Sequence, residues 1–106
     1  MNSANHPNRP ATWLDLVRAA HDGGAGVRIH PVRPSTGGPR LAISLASRML
    51  HSNDGRITVF ADGDAAARFL TLAGITRWEP GEMLPAARIA AGRAQCLGLR
   101  SGRLDG

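Results

Sequence analysis

The chain has 106 residues, of which 42% are hydrophobic, and a formal net charge of +5 at pH 7. This length is typical of one domain with one modest core. The single cysteine, Cys96, excludes an internal disulfide and a cysteine-based metal site. The apolar runs are too short to cross a bilayer and none opens the chain, so we expect a soluble cytoplasmic protein without membrane contact.

Arginine supplies every one of the 13 basic residues, and its guanidinium group suits contacts with phosphate or carboxylate. Two stretches, 23–53 and 83–104, contain arginines and no acidic residue, whereas the segment between them is acidic. The first contains Arg28, Arg33, Arg40 and Arg48, and the second contains Arg88, Arg93, Arg100 and Arg103. Two basic zones indicate a polyanionic partner or an acidic protein surface. The alternative is solvated arginines spread around a small domain.

A polar N-terminal stretch and a short helix are predicted first along the chain. Residues 1–10 are polar and include two prolines, so we expect them to be disordered. Thr12 is suited to cap a helix from Trp13 to about His21, because its hydroxyl can accept a backbone hydrogen bond. The glycine pair that begins at Gly23 would end this helix.

A β-hairpin is predicted next. Residues 25–33 alternate apolar and polar side chains, which indicates a strand with one apolar face. A turn cluster at 35–39 leads to a second alternating stretch, 40–49, which would pair antiparallel with the first. A helix over 42–50 is the alternative, because Ala and Leu favour helices.

The stretch 55–78 has the pattern of a strand–helix–strand unit. Its first strand, around 57–60, is apolar on both faces and is therefore expected to be central. Either Asp62 or Asp64 can accept backbone N–H groups at the start of the following helix, and Gly74 is suited to end it in a left-handed conformation. The second strand would be short and would lie near 76–79.

The C-terminal quarter is predicted to lie outside the core. Residues 81–97 would form a loosely docked helix through Cys96 or Leu97, and 98–106 a disordered basic tail. The core domain would then span 11–80.

These elements predict a small α+β domain with a mixed sheet of three to four strands and helices packed on one face. The two strands that flank the helix of 55–78 should be parallel if they share a sheet, although they need not be neighbours.

A metal site and a cofactor are not expected. Asp62 and Asp64 resemble a cation-binding pair, but no closing glutamate follows them, and helix capping explains both. The histidines at 6, 21, 30 and 51 have no helical spacing that would join them in a zinc site.

The sequence also gives no indication of an enzyme. Ser44, Ser47 and Cys96 are the candidate nucleophiles, but none lies on a strand-to-helix elbow or in a G-x-S-x-G motif. A helix-turn-helix starting near Phe69 is a further alternative. Pro80 would break its recognition helix in the first turns.

Residues 56–75, RITVFADGDAAARFLTLAGI, resemble a recurring segment of small accessory proteins from conjugative plasmids and integrated elements. Those proteins are labelled partition-associated or uncharacterised. The run HPVRP at 30–34 fits the same pattern. The resemblance implies an accessory role in a bacterial mobile element and carries over no catalytic residue.

Two functional hypotheses follow. The first is a non-catalytic protein that binds nucleic acid, or a DNA-bound protein, through sequence-independent contacts of an arginine-rich face. Its contact residues would be Arg28, Arg33, Arg40 and Arg48, with Arg88, Arg93, Arg100 and Arg103 as a mobile second patch. The alternative is a protein–protein adaptor or inhibitor that uses an edge strand and an exposed Trp78, and binds no nucleic acid.

Overall fold

A mixed β-sheet and two helices make up the structure, a computed structural model that describes residues 10–35, 38–85 and 94–105. The helices are α1 (Trp13–Ala20) and α2 (Gly63–Leu72). The strands are β1 (Val27–Ser35), β2 (Gly38–Leu45), β3 (Arg48–Met49), β4 (Ile57–Phe60), β5 (Glu79–Pro80), β6 (Ala94–Arg100) and β7 (Arg103–Asp105). The α+β class and the mixed sheet are confirmed, but these ranges contain seven strands where three to four were predicted.

The predicted hairpin forms the middle of this sheet. The strand order is β5-β1-β2-β4-β6-β7, and β3 pairs separately with β2. Strands β1 and β2 are antiparallel, with Val27 opposite Leu45 and Ile29 opposite Ile43. The strand interpretation of 40–49 is therefore confirmed over β2, and β4 lies inside the sheet as predicted.

Helix α1 begins at a capping box. The Thr12 hydroxyl accepts a hydrogen bond from the Asp15 backbone N–H at 3.3 Å, and the Asp15 carboxylate accepts one from the Thr12 N–H at 3.0 Å. Two backbone donors at the helix start are satisfied in this way. The predicted cap at Thr12 is confirmed.

Helix α2 has both of its predicted ends. Asp62 Oδ1 accepts a hydrogen bond from Ala65 N at 2.9 Å, which makes Asp62 the N-cap. At the other end Gly74 has φ +89°, and the N–H of Ile75 donates to the carbonyl of Leu70 at 2.9 Å. This is the Schellman arrangement, in which a left-handed glycine lets the chain leave the helix.

The second strand of the 55–78 unit lies slightly later than predicted. It is β5, which pairs parallel with β1 through Arg28 and Glu79. Since β1 and β4 are both antiparallel to β2, β5 runs parallel to β4 without touching it. Pro80 is tolerated because β5 is at the end of the sheet, where a missing N–H costs no ladder hydrogen bond.

The C-terminal prediction needs correction. Residues 86–93 lie outside the described residues, but 94–97 belong to a strand rather than to a helix, and 98–105 continue as β6 and β7 rather than as a disordered tail. Strand β6 pairs parallel with β4, so the core domain does not end at residue 80. Residues 1–9 also lie outside the described residues.

Two apolar clusters cover the two faces of the sheet. The larger one contains Leu16 of α1 and Leu70 of α2, packed with Ile43 and Phe60 of the sheet. The smaller one lies on the opposite face and joins β1, β2 and β4 to Leu84. In the described ranges neither helix is long and apolar enough to cross a membrane.

Candidate functional site

The four arginines of the first basic zone do not share one face of the sheet. Side chains alternate along a strand, and Val32 lies on the face of the smaller apolar cluster. Arg28 lies on that face by alternation, and so does Arg40, which is opposite Val32 in the register. Alternation directs Arg33 to the other face. Arg48 lies there too, because it pairs with a residue of the larger cluster, Leu45.

Arg48 has a structural partner. Its Nη1 atom lies 3.4 Å from Asp15 Oδ2, and the two side chains are only 18% and 12% exposed. This ion pair connects β3 to the capping box of α1. Arg48 is therefore poorly placed for a phosphate contact.

Of the remaining predicted contact residues, the structure describes Arg40, Arg100 and Arg103, which lie on three different strands. Arg40 is half-buried and already interacts with another group of the protein. Arg100 and Arg103 flank the β6–β7 turn, and Arg100 also has an interaction. Arg88 and Arg93 lie outside the described residues. Among the described members of the predicted set, the arginines are thus divided between the two faces of the sheet and the β6–β7 turn.

One groove does bring a predicted arginine and the predicted tryptophan together. It encloses about 500 Å³ and is lined by residues 23–28 on one side and 77–79 on the other. We call it the Trp78 groove. Arg28 and Arg77 supply its cations, and Trp78, with 36% of its surface exposed, supplies its aromatic side chain.

A glycine-rich loop forms one wall of the Trp78 groove. Gly23, Gly24 and Gly26 have φ of +81°, +78° and +88°, a region that side chains with a Cβ rarely adopt. A Cβ on Gly24 would lie 3.2 Å from the carbonyl oxygen of Arg77 and from Ile75 Cγ2. The loop therefore packs directly against the segment that carries Trp78.

The Trp78 groove has a small excess of positive charge. Within the described residues, Arg28 and Arg77 are exposed and neither makes a side-chain hydrogen bond or an ion pair. Glu79 also lines the groove, so the lining residues carry two positive charges and one negative charge. Because neither arginine has an ion-pair partner among the described residues, the groove can attract an anion to the side of an aromatic ring.

A buried histidine holds the chain that follows Trp78. His30 is only 4% exposed; its Nδ1 lies 3.0 Å from the carbonyl oxygen of Glu82, and its Nε2 lies 2.7 Å from Ser44 Oγ. A carbonyl oxygen only accepts, so we assign the donor proton to Nδ1, and the Ser44 hydroxyl donates to Nε2. The Glu82 carboxylate is 3.5 Å from Nδ1. His30 thereby fastens the 79–84 segment to β1 and β2.

Backbone contacts support the same attachment. The N–H of Gly81 donates to the carbonyl of Ile29, and the N–H of Leu84 donates to that of Pro31, each at 2.8 Å. The sequence indicated His30 only as a polar residue of a strand, and nothing local pointed to its partners. The reason is that His30 and Glu82 are 52 positions apart in the sequence.

The Ser44–His30 pair has the spacing of a serine nucleophile and its base. Both residues are at least 96% buried, however, and the imidazole ring is covered by the backbone of Gly81. Both residues line a cavity of about 250 Å³, and the carbonyl group of a substrate would have to approach the Ser44 hydroxyl through it. We interpret the pair as a structural anchor.

The described residues contain no group of three or more His, Cys, Asp or Glu side chains that could hold a metal ion. Asp62, one of the two aspartates considered for a cation, is committed to the α2 cap.

Comparisons of the chain with protein-family models, with curated proteins and with solved structures found no significant match. The resemblance of residues 56–75 to plasmid accessory proteins therefore stays a prediction. The Trp78 groove and its charges are the basis for proposing a function.

Proposed function

We propose that this is a non-catalytic binding protein that contacts nucleic acid through the Trp78 groove. One observation carries the proposal: Arg28 and Arg77, without ion-pair partners in the described residues, border the same groove as the exposed Trp78. Arginines of this kind are typical contacts for the phosphate backbone. An accessory role in a bacterial mobile element, implied by residues 56–75, is part of the same proposal.

The proposed interface is smaller than the one expected from the sequence. It keeps Arg28, adds Arg77 and omits Arg48, whose guanidinium faces Asp15. Contacts to phosphate carry no sequence information, so binding should be largely independent of sequence. With about two phosphates neutralised, the logarithm of the affinity for duplex DNA should fall with the logarithm of salt concentration with a slope of about −1.8.

Fluorescence anisotropy of labelled oligonucleotides tests the proposal. The variant Arg28→Gln/Arg77→Gln should bind more weakly than the wild type and should show a shallower salt dependence. Arg68→Gln/Arg103→Gln is a matched control, because it removes the same charge from exposed positions outside the groove. Absence of binding at low salt, or an equal loss in both double variants, would contradict the proposal.

A protein–protein adaptor or inhibitor is the second candidate. The observation in its favour is that β5, exposed at both residues, ends the sheet directly after Trp78. An open edge and an aromatic side chain are common features of protein interfaces. Pro80 limits the edge, since it has no N–H to offer a partner strand.

The two candidates differ in one measurement. An adaptor should bind neither single-stranded nor duplex oligonucleotides at low salt, while Trp78→Ala should abolish capture of its protein partner without changing the circular dichroism spectrum. A partner captured equally by Trp78→Ala would exclude this role for Trp78.

A further inference from the structure

We infer that the ligand of the Trp78 groove is single-stranded nucleic acid, with one base stacked on the Trp78 indole and adjacent phosphates held by Arg28 and Arg77. This inference rests on the proposed function and specifies the class of nucleic acid. An exposed aromatic ring beside cations is the arrangement by which proteins bind single strands without sequence preference.

The Trp78 groove has a size suited to one nucleotide. Its volume of about 500 Å³ lies inside the range typical of small-molecule sites, roughly 300–1,000 Å³. In a duplex each base is covered on both faces by its neighbours, and exposing one requires unstacking. The indole can therefore stack most easily on a base that is already unpaired.

The glycine loop leaves room for this unit. A Cβ on Gly23 would meet no atom within 4 Å, so that side of the loop faces open space. The absence of a side chain at Gly23 lets a ligand approach the backbone closely there. At Gly24 the corresponding space is taken up by Arg77 and Ile75. At Gly26 Ala46 lies within contact distance, so the open part of this wall is at Gly23.

Trp78 is also held between two fixed points. On its N-terminal side Ile75 is 1% exposed and packs in the larger core cluster. On its C-terminal side Gly81 is hydrogen-bonded to β1 and lies against the His30 ring. Because the backbone is anchored on both sides of Trp78, this short segment loses less conformational entropy when a base stacks on the indole.

Intrinsic fluorescence can report this contact directly. The chain has two tryptophans, so the variant Trp13→Phe leaves Trp78 as the only indole. Titration of this variant with oligothymidylate at 50 mM salt should quench the emission, whereas a duplex of mixed sequence at the same concentration should not. Between 50 and 200 mM salt the affinity for the single strand should fall about sevenfold, for two neutralised phosphates.

Substitution of the aromatic ring gives the second readout, measured by anisotropy. Trp78→Ala should weaken single-strand binding by at least about fivefold, the lower limit for a stacked base, and Trp78→Phe should retain much of it. Leu72→Ala is the control, because Leu72 is a large exposed apolar residue on α2, outside the Trp78 groove. Circular dichroism of each variant checks that the fold is intact.

The outcomes separate this inference from the proposed function. If neither single strand nor duplex binds at 50 mM salt, both fail. A second outcome is that single strand and duplex bind equally, that Trp78 emission does not change, and that Arg28→Gln/Arg77→Gln still weakens binding. In that case the nucleic-acid proposal stands and the single-strand inference is overturned. Quenching by the single strand alone, lost affinity in Trp78→Ala and no effect of Leu72→Ala support the inference.

Discussion

The imidazole ring of His30 lies directly against the backbone of Gly81, so that a Cβ at Gly81 would be 2.3 Å from two ring atoms. Gly81 is not among the residues with positive φ, so the space, and not the backbone conformation, requires glycine here. Both nitrogens of the ring are already hydrogen-bonded, which limits how far the ring can move.

The first prediction concerns this contact. Gly81→Ala should destabilise the protein by about 1 to 3 kcal/mol, because it overpacks a buried site. Urea denaturation followed by circular dichroism would measure the change. Gly63→Ala, in the first turn of α2, is the matched control, because its Cβ would meet only Leu41 Cδ1, at 4.0 Å. This substitution should be neutral or stabilising. Equal effects of the two substitutions would show that the His30–Gly81 packing is unimportant.

The second prediction concerns the hydrogen bond between Ser44 and His30. Ser44→Ala removes the donor to the buried Nε2 atom and should cost about 1 to 3 kcal/mol of unfolding free energy. Thr71→Ala, at an exposed position of α2, should change stability by less than about 0.5 kcal/mol. If Ser44→Ala is as mild as Thr71→Ala, the anchor is not holding the 79–84 segment.

The two aspartates at the start of α2 provide a third test. Asp62 is the N-cap, and its removal in Asp62→Ala should cost about 0.5 to 2 kcal/mol. Asp64 lies in the first turn and interacts mainly with the helix dipole, so Asp64→Ala should cost only about 0.3 to 1 kcal/mol. Thermal unfolding of both variants would rank them. A greater loss for Asp64→Ala would contradict the assignment of the cap.

The fourth prediction concerns pH. The pKa of Asp54 is lowered from its usual value of 3.8, chiefly by the hydrogen bond that the Ser52 hydroxyl donates to it. Desolvation opposes this lowering, and the backbone N–H and guanidinium of Arg56 add to it. A lowered folded-state pKa means that the turn is stabilised above pH 3.8 and that this contribution is lost as the pH falls through the lowered value. NMR titration should show the pKa of Asp54 moving up in Ser52→Ala. An unchanged pKa in that variant would rule out Ser52 as the cause.

The parts of the fold that sequence could predict are those with local causes. The capping box joins Thr12 and Asp15, three positions apart, and the cap of α2 joins Asp62 and Ala65 at the same separation. The β1–β2 hairpin likewise follows from alternation around one turn. Each of these interactions can be anticipated from neighbouring residues alone.

The parts that sequence missed depend on distant partners. The segment that begins at Ala94 is rich in helix-favouring residues, yet Cys96 pairs with Val59 of β4 and takes a strand conformation. Tertiary pairing overrode local propensity there. The Trp78 groove was missed for the same reason, since Arg28 lies in the basic zone and Arg77 in the acidic one.

One wall of the Trp78 groove, residues 23–28, leads into β1, and the other, residues 77–79, follows α2. The His30–Glu82 contact, which stabilises this arrangement, joins residues 52 positions apart. Loop closure over such a distance has to precede the contact, so the groove should be among the last features to assemble during folding. A partly folded chain would present Trp78 and its arginines as separate, weak sites. Ligand binding would then add stability only to the completed fold, and raised thermal stability in the presence of ligand would be its thermodynamic mark.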